Sequence, residues 1–452
     1  MTATIDLAPL RARLRHALRP GDDGWEAARQ AWNLAADQRP AAVAYAESAD
    51  DVAAAVRFAA AGGLRVAPQG TGHGALAHGD LGDALLLKTQ RMSAVEIDPA
   101  ARRARVEAGA LWGDVAVAAG RHGLVALHGS SPDVGVVGST LGGGIGWLSR
   151  AHGLASERVV ALDVVTAEGE RRRVTADSDP DLFWALRGGG GAFAIVTALE
   201  FELLPLRVVQ AGMLAWPGAR GGELLAAWLA WTATLPDRTS ATLRWLQLPP
   251  LEEVPEPLRG RPTVAVTLAH DGPAAEAEAL LAPLRALGGT TVDRVGELPA
   301  PQLVHLAGDP ERPTPALSGH ALLGPLDDAA ADALAAAAGP QAGHPLAGVE
   351  LRHLGGALAT APAGAGALGR IDGELLLFAF GVPREPAHAA AIEAALGAVT
   401  GAVVGARRGS VRSFVDRPIA PGDAFDSATF ARLRAIKAAV DPGDLIAANH
   451  GV

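Results

Sequence analysis

The chain has 452 residues, of which 49% are apolar and 19% are charged, so it can bury a substantial core and is not a disordered chain. Its 39 basic and 49 acidic side chains are mixed along the sequence and give a net charge of −10. Because no Lys/Arg tract stands out, nucleic acid and anionic membranes are disfavoured as partners. Cysteine is absent, which excludes disulfides, thiolate metal sites and a thioether link to a cofactor, and we assign no metal ligands.

The opening segment MTATIDLAPLRARLRHALRP lacks the apolar core of a signal peptide. No run of about 18 apolar residues occurs, which is the length that a membrane-spanning helix needs. We therefore expect a cytoplasmic protein without a membrane partner.

The first half of the chain is predicted to alternate helices and strands. Ser48 is the expected N-cap of its first long helix, and Asp179-Pro180-Asp181 opens another. The remaining predicted elements are a helix at 111–119 and strands at 64–68, 84–88, 94–97, 104–107, 159–166, 172–175 and 193–204, with the first helix over 51–60.

The composition changes after residue 204, where Ala, Leu and Pro become more frequent. The patterns predict helices at 222–235, 274–287 and 327–338 and strands at 263–268 and 374–381. A last helix over 427–440 ends at Asp441-Pro442-Gly443. We interpret residues 205 to about 410 as a second α+β domain inserted before the tail.

Three glycine clusters dominate the first half: QGTGHG at 69–74, LGGGIG at 141–146 and RGGGG at 187–191. Glycine lets a backbone approach a ligand closely and turn its N–H groups toward phosphate oxygens, so the clusters favour a large anionic cofactor over ordinary turns. Neither a G-x-G-x-x-G pattern after a strand nor a G-x-x-x-x-G-K-[ST] loop occurs, which disfavours a Rossmann dehydrogenase and a P-loop NTPase.

His73 lies inside the first cluster, between Gly72 and Gly74. The spacing alone favours neither of two interpretations: a solvent-exposed histidine in a turn, or an imidazole ring presented to a cofactor.

Five segments resemble the FAD-linked oxidoreductases with the vanillyl-alcohol-oxidase/p-cresol-methylhydroxylase (PCMH) type of FAD domain, in the berberine-bridge-enzyme-like branch. They are WNLAADQRPAAVAYAESADDVAAAVRFA (32–59), RVAPQGTGHGA (65–75), GSSPDVGVVGSTLGGGIGWLSRAHGL (129–154), DLFWALRGGGGAFAIVTALEFEL (181–203) and LRAIKAAVDPGDLIAANHGV (433–452). The resemblance covers most of the first half and the tail.

The resemblance implies an α+β, two-domain fold of the PCMH type. Residues 1–204, with a core at about 34–204, would form the FAD-binding domain. Residues 205–412 would form a substrate-binding domain whose sheet, backed by helices, covers the active site. Residues 413–452 would return to the FAD domain.

The resemblance also implies FAD as cofactor, joined at its 8α-methyl group to the imidazole of His73. In relatives with a second link, a cysteine occupies the place of Ser131 here, so we expect one link through His73 or none. The further FAD-binding residues that the resemblance implies are Gln69, Gly70, Thr71, Gly72, Gly74, Gly129, Ser131, Gly135, Gly138, Ser139, Thr140, Gly142, Gly143, Gly144, Gly146, Ile195, Val196 and Asn449.

The catalytic base is the main departure from the family pattern. The family's Tyr-x-Asn corresponds to Phe414-Val415-Asp416, and the one tyrosine of the chain, Tyr45, lies far from the substrate domain in sequence. Asp416 and His450 are the remaining candidates. Asp416 could instead cap a helix or pair with Arg417, and the segment with His450 could be a frayed terminus.

The implied reaction is a two-electron oxidation of a small organic substrate, by hydride transfer to flavin N5, with molecular oxygen as electron acceptor. We expect an alcohol, phenol, sugar or alkaloid-like substrate in a mainly apolar cavity. A flavin-dependent dehydrogenase, an oxygenase and a catalytically decayed flavin-binding protein remain alternatives. The oligomeric state stays open.

Overall fold

The computed structural model describes residues 5–252, 254 and 256–452. Its first sheet has the order β1-β2-β4-β3, in which β2, β4 and β3 run parallel. Its strands are β1 (Ala17–Leu18), β2 (Ala42–Tyr45), β3 (Arg65–Gln69) and β4 (Ala84–Lys88), and its helices are α1 (Ala8–Arg11), α2 (Trp25–Ala28) and α3 (Ala49–Ala61). As predicted, Ser48 caps α3, because its side chain accepts a hydrogen bond from the Asp51 N–H.

A second sheet of five antiparallel strands has the order β5-β6-β9-β7-β8. Its strands are β5 (Val95–Asp98), β6 (Arg103–Glu107), β7 (Val159–Val165), β8 (Arg171–Val174) and β9 (Ile195–Glu202). The helices of this part are α4 (Trp112–Gly120), α5 (Val136–Leu141), α6 (Ser149–His152) and α7 (Pro180–Leu186). Trp112, Phe193 and Phe201 are buried in the core between this sheet and its helices.

A third sheet of eight antiparallel strands has the order β13-β10-β12-β11-β15-β16-β14-β17. Its strands are β10 (Val208–Pro217), β11 (Thr239–Leu246), β12 (Thr263–His270), β13 (Val292–Pro299), β14 (Leu317–Leu323), β15 (Gly348–His353), β16 (Leu375–Gly381) and β17 (Arg407–Gly409). Helices α8 (Gly221–Thr232), α9 (Ala274–Ala286), α10 (Asp328–Ala338) and α11 (Pro386–Ala402) contribute to the core on one side of the sheet.

The α+β class is confirmed, and the predicted covering sheet is antiparallel. Sequence patterns missed β10, β11, β13, β14, β15 and α11, because short apolar strands and Ala-rich helices look alike over a few residues. The domain boundaries at 204/205 and 412/413 remain a proposal, which the extent of the third sheet, residues 208–409, supports. None of the described helices is long and apolar enough to cross a membrane.

The tail begins with α12 (Ser427–Val440) and then returns to the first sheet. The Val66 N–H of β3 donates to the Leu445 carbonyl at 2.7 Å, and the Ala447 N–H donates to the Val66 carbonyl at 2.8 Å. The segment therefore pairs with β3 in parallel, which brings the residues after it beside the first glycine cluster.

One buried carboxylate holds the turn between α12 and this pairing. Asp441 accepts hydrogen bonds from the Leu445 and Ile446 N–H groups, both at 2.9 Å, and from Lys437 Nζ at 2.6 Å. Its side chain is 1% exposed, whereas that of Asp444, which also pairs with Lys437, is 76% exposed.

We expect Asp441→Asn to lower the free energy of unfolding by about 3–5 kcal/mol, because it removes the buried charge partner of Lys437, leaves only the exposed Asp444, and turns an amide N–H toward backbone donors. Asp444→Asn should change it by at most about 1 kcal/mol, since exposed ion pairs contribute little. Urea unfolding of the two variants and the parent compares these values. Equal effects of the two substitutions would contradict the role given to Asp441.

Candidate cofactor and active site

One cleft lies where the first two sheets, the returning tail and the segment before α12 meet. Its walls come from the loop after β3, from α5, from the start of β9, and from two C-terminal segments around Ser413 and Asn449. The predicted residues that line it are Gln69, Gly70, Thr71, Gly72, His73, Gly74, Gly135, Gly138, Ser139, Gly142, Ile195, Val196, Asn449 and His450. The tertiary structure thus brings together residues from distant parts of the chain.

Three glycines of the second cluster lie outside this lining, and their part in FAD binding stays a prediction. A Cβ on Gly143 would lie 2.8 Å from Leu368 Cδ2, and one on Gly146 would lie 1.8 Å from the His128 carbonyl oxygen. Gly144 is similarly confined by its neighbours. These positions need glycine because protein atoms pack against them.

Gly129, Ser131 and Thr140 also lie outside the lining. Ser131 Oγ donates to Asp133 Oδ1 at 2.8 Å, the Gly129 carbonyl is 2.7 Å from the His128 ring Nδ1, and Thr140 is a buried residue of α5. Direct FAD contacts of these three residues stay a prediction.

The glycines that do line the cleft differ in what surrounds them. Gly72 has φ +88°, and a Cβ there would lie 2.8 Å from the Cβ of Ala31, so both backbone and space require glycine. Gly138 lies on α5, and a Cβ there would meet no protein atom within 4 Å in the described part of the chain. Because Gly138 faces the open cleft, its missing side chain leaves room for a ligand.

Polar atoms without partners also face this cleft. His78 Nδ1, Ser413 Oγ and His450 Nδ1 are buried and have no hydrogen-bond partner among the residues that the structure describes. Buried polar atoms are ordinarily satisfied, so these three fit a ligand with several polar groups along its length. A flavin nucleotide meets that requirement.

His450 is neutral at physiological pH. Burial, with the nearby Arg412 guanidinium, lowers its pKa to about 4. Its Nε2 is 3.2 Å from the Val415 carbonyl, which can only accept, so Nε2 carries the hydrogen and Nδ1 carries the lone pair. A pKa this low makes His450 a weak base and favours a hydrogen-bonding role.

Arg412 adds a buried positive charge to the lining. Its guanidinium donates to the Gly189 carbonyl at 2.9 Å and to the His450 carbonyl at 2.6 Å, and among the described residues no carboxylate pairs with it. Burial lowers its pKa to about 10, so it stays charged at neutral pH. Sequence analysis missed it, because a single arginine in a loop carries no motif.

Asp416, the other predicted catalytic residue, does not line the cleft. Burial raises the pKa of its carboxyl, which hydrogen-bonds to Ser318, and its Oδ1 is 3.6 Å from Arg417 Nε. The structure therefore favours the alternative of a structural partner for Arg417 and strand β14.

A charged cluster lies on the face of the third sheet that is opposite to helices α8 to α11 and turned toward the FAD domain. Glu350 is bound by Arg352 at 2.7 Å and by Arg244 at 3.2 Å, and the Arg352 guanidinium lies 5.0 Å from the Phe414 ring centre. Burial alone would raise the pKa of the Glu350 carboxyl, but the two arginines hold this pKa below its usual value. Arg244 also lies 3.5 Å from Asp309.

This cluster places charged groups on a face of the third sheet where the sequence analysis found none, and the mainly apolar cavity stays a prediction. The signal was present in the strands, because Glu350 and Arg352 are two apart and so share one face of β15, while Val349 and Leu351 face the apolar core. It was missed because neither β11 nor β15 was predicted.

Comparison with known proteins agrees with the geometry. The profile of the FAD binding domain matches residues 40–175. (R)-6-hydroxynicotine oxidase of Paenarthrobacter nicotinovorans is 34% identical over 277 residues, or 61% of this chain and 59% of that protein. The solved 6-hydroxy-D-nicotine oxidase of Arthrobacter nicotinovorans superposes with a TM-score of 0.83 at 25% identity, over 98% of both chains.

The chain contains an FAD binding domain and is similar in sequence and in fold to FAD-linked oxidases. The predicted resemblance and the FAD cofactor are thereby confirmed. A berberine-bridge-enzyme-like protein of Physcomitrella patens shares the fold, with a TM-score of 0.84 at 20% identity over 98% of both chains.

Glucooligosaccharide oxidases are a second group of proteins similar to this chain. Glucooligosaccharide oxidase of Sarocladium strictum is 40% identical over 183 residues, or 40% of this chain and 36% of that protein. A solved glucooligosaccharide oxidase, of Acremonium strictum, holds a 6-S-cysteinyl, 8α-N1-histidyl FAD. The sequence matches thus span 59% and 36% of these two curated relatives.

We expect Gly138→Val to abolish FAD binding without unfolding the protein. The added side chain meets the open cleft rather than protein atoms, so the stability of the FAD-free protein should change by no more than about 1 kcal/mol. The FAD-to-protein ratio after gel filtration and the melting temperature measure the two effects. The matched control is Gly397→Val on α11, where a Cβ also meets open space and FAD should be retained. A Gly138→Val protein with full FAD would exclude this cleft as the site.

Proposed function

We propose that this protein is an FAD-dependent oxidase that removes two electrons from a small polar organic substrate and passes them to molecular oxygen. The observation that carries the proposal is the cleft itself, where His73, unpartnered polar atoms and a buried arginine line one cavity. The relatives named above are oxidases, and the substrates in their names come to this chain only as candidates.

The FAD site would be formed by the loop after β3, α5 and the start of β9. The backbone N–H groups of Gly70, Thr71 and Gly72 would face the diphosphate, and His73 would hold the dimethylbenzene edge through one covalent bond. FAD, when bound, supplies the hydride acceptor and the reaction with oxygen. Everything else in the reaction depends on how the chain orients substrate and charge.

Arg412 and His450 would act at the isoalloxazine. The buried guanidinium of Arg412 would stabilise negative charge on the bound cofactor, because a low-dielectric site strengthens this attraction. His450 Nδ1 would accept a hydrogen bond from the cofactor or the substrate and would thereby fix its orientation.

The substrate would lie between the cofactor and the charged cluster of Arg244, Glu350 and Arg352. These side chains supply donors and acceptors for hydroxyl or amine groups, which favours sugars and alkaloid-like molecules over purely apolar ones. The cluster contains both signs of charge, so a polyphosphorylated substrate stays disfavoured.

The cytoplasmic location of the protein stays a prediction.

Anaerobic reduction separates an oxidase from the alternatives. We expect an alcohol, sugar or 6-hydroxynicotine-like amine to bleach the visible flavin band, and air to restore it rapidly with formation of hydrogen peroxide. Bleaching with slow recolouring, relieved by an artificial acceptor, would instead identify a dehydrogenase. Oxygen incorporation into the product would identify an oxygenase. No bleaching by any member of the panel would indicate a flavin-binding protein without this activity.

We expect FAD to be attached through His73 and through no second residue. After acid precipitation the yellow colour should stay with the parent pellet and move to the supernatant in His73→Ala. Ser131→Ala should keep the colour in the pellet, because a hydroxyl forms no thioether. Complete release of flavin from the parent protein would show that His73 only binds FAD.

A further inference from the structure

Asp133 lies beside His73 although it comes from a different wall of the cleft. The shortest distance between them joins His73 Nε2 to Asp133 Oδ1 and is 3.6 Å. This is too long for a hydrogen bond but within the range of a strong charge interaction. The Asp133 side chain is 14% exposed and that of His73 is 26% exposed, so water screens the pair only in part.

Two donors hold the Asp133 carboxylate in this position. Trp32 Nε1 donates to Oδ2, and Ser131 Oγ donates to Oδ1 at 2.8 Å. Burial by itself would raise the pKa of Asp133, but the contacts with His73, Ser131 and Trp32 outweigh it and lower the pKa. The carboxylate is therefore ionised at neutral pH and has a defined orientation.

The imidazole of His73 is equally well positioned. The Trp32 indole stacks on it, with ring centres 3.9 Å apart and an interplanar angle of 17°. Thr71 Oγ1 lies 2.8 Å from Nδ1. Trp32 thus contacts both partners, since its ring covers His73 while its N–H binds Asp133.

The position of the carboxylate selects the tautomer of His73. A lone pair on Nε2 would face the negative Asp133 oxygen, whereas an N–H there is attracted to it. Nε2 therefore carries the hydrogen, and the Thr71 hydroxyl donates to the lone pair on Nδ1. The unprotonated nitrogen is the one that can act as a nucleophile.

We propose that Asp133 is a positioning residue for the covalent attachment of FAD to His73, with Trp32 as the group that aligns both side chains. The proposal rests on the histidyl attachment proposed above and adds the group that makes the imidazole reactive. An ionised carboxylate beside Nε2 stabilises the positive charge that the ring acquires when Nδ1 forms its new bond.

The step balances with molecular oxygen as oxidant. A bond forms between Nδ1 and the 8α carbon of FAD, and one C–H bond of that methyl group breaks. The methyl proton and the imidazole proton leave, the second past Asp133 to solvent. The two electrons reduce the isoalloxazine, and oxygen then takes them with the two protons to give hydrogen peroxide.

The rate of attachment tests this proposal in the full-length chain. FAD-free protein from riboflavin-starved cells is mixed with FAD in air, and flavin fluorescence of the denatured protein band is followed with time. Asp133→Asn should bind the same total FAD as the parent but attach it about 10–100-fold more slowly. Asp133→Glu should restore part of the rate, because it restores the charge.

Two further variants keep the test decisive. Trp32→Phe keeps a stacked ring but removes the N–H that holds Asp133, so it should slow attachment by a smaller factor. Asp177→Asn alters an exposed carboxylate remote from the cleft and should match the parent. If Asp133→Asn fails to fold, the attachment rate of Trp32→Phe decides whether the position of Asp133 matters for attachment.

The outcomes separate the proposed role of Asp133 from the proposed attachment of FAD to His73, on which it rests. Attachment in Asp133→Asn at the parent rate overturns the role of Asp133 while the histidyl bond stands. A loss of total FAD that equals the loss of attached FAD also overturns it, because Asp133 would then serve binding alone. Absence of attachment in the parent protein overturns both.

Discussion

The carboxylate of Asp441 accepts two backbone hydrogen bonds and one from Lys437, and in doing so it bends the chain after α12 back toward β3. Since the last segment then pairs with Val66, Asn449 and His450 lie opposite the first glycine cluster. Without that turn the cleft would lose one wall and the His450 carbonyl that accepts a hydrogen bond from Arg412. A buried charge network thus supports the geometry of the whole site.

Positive charge is concentrated in buried places around the cleft of an otherwise acidic protein. Arg412 is bound only to carbonyl groups among its described partners, and Lys88, under the glycine loop, donates to the Gln30 carbonyl and to Gln69 Oε1. Burial lowers the pKa of Lys88 to about 8. Ionised groups without a carboxylate partner are costly to bury, and an anionic cofactor offsets that cost. FAD binding and folding are therefore expected to be thermodynamically linked.

The two faces of the third sheet differ in chemistry, since one is apolar and the other carries charged side chains. The side that packs on α8 to α11 is apolar and supplies the stability of this part of the chain. The opposite side carries Arg244, Glu350 and Arg352, whose charges compensate one another and contact Phe414 beside the cleft. Under the proposed function, substitutions on the charged face would change substrate recognition without loss of the core on the other face.

The sequence by itself determined the helix caps at Ser48 and Asp179, because these depend on local backbone chemistry, and its resemblance to a known family indicated the FAD cofactor. Only the tertiary structure decided which glycines line the cleft. Gly138 opens on the cleft, whereas Gly146 packs on the His128 carbonyl, and both occur in similar sequence patterns. It also moved Asp416 out of the lining and placed Asp133 and Trp32 against His73. Trp32 and Asp133 are 101 positions apart in sequence, and no local pattern encodes a contact over such a separation.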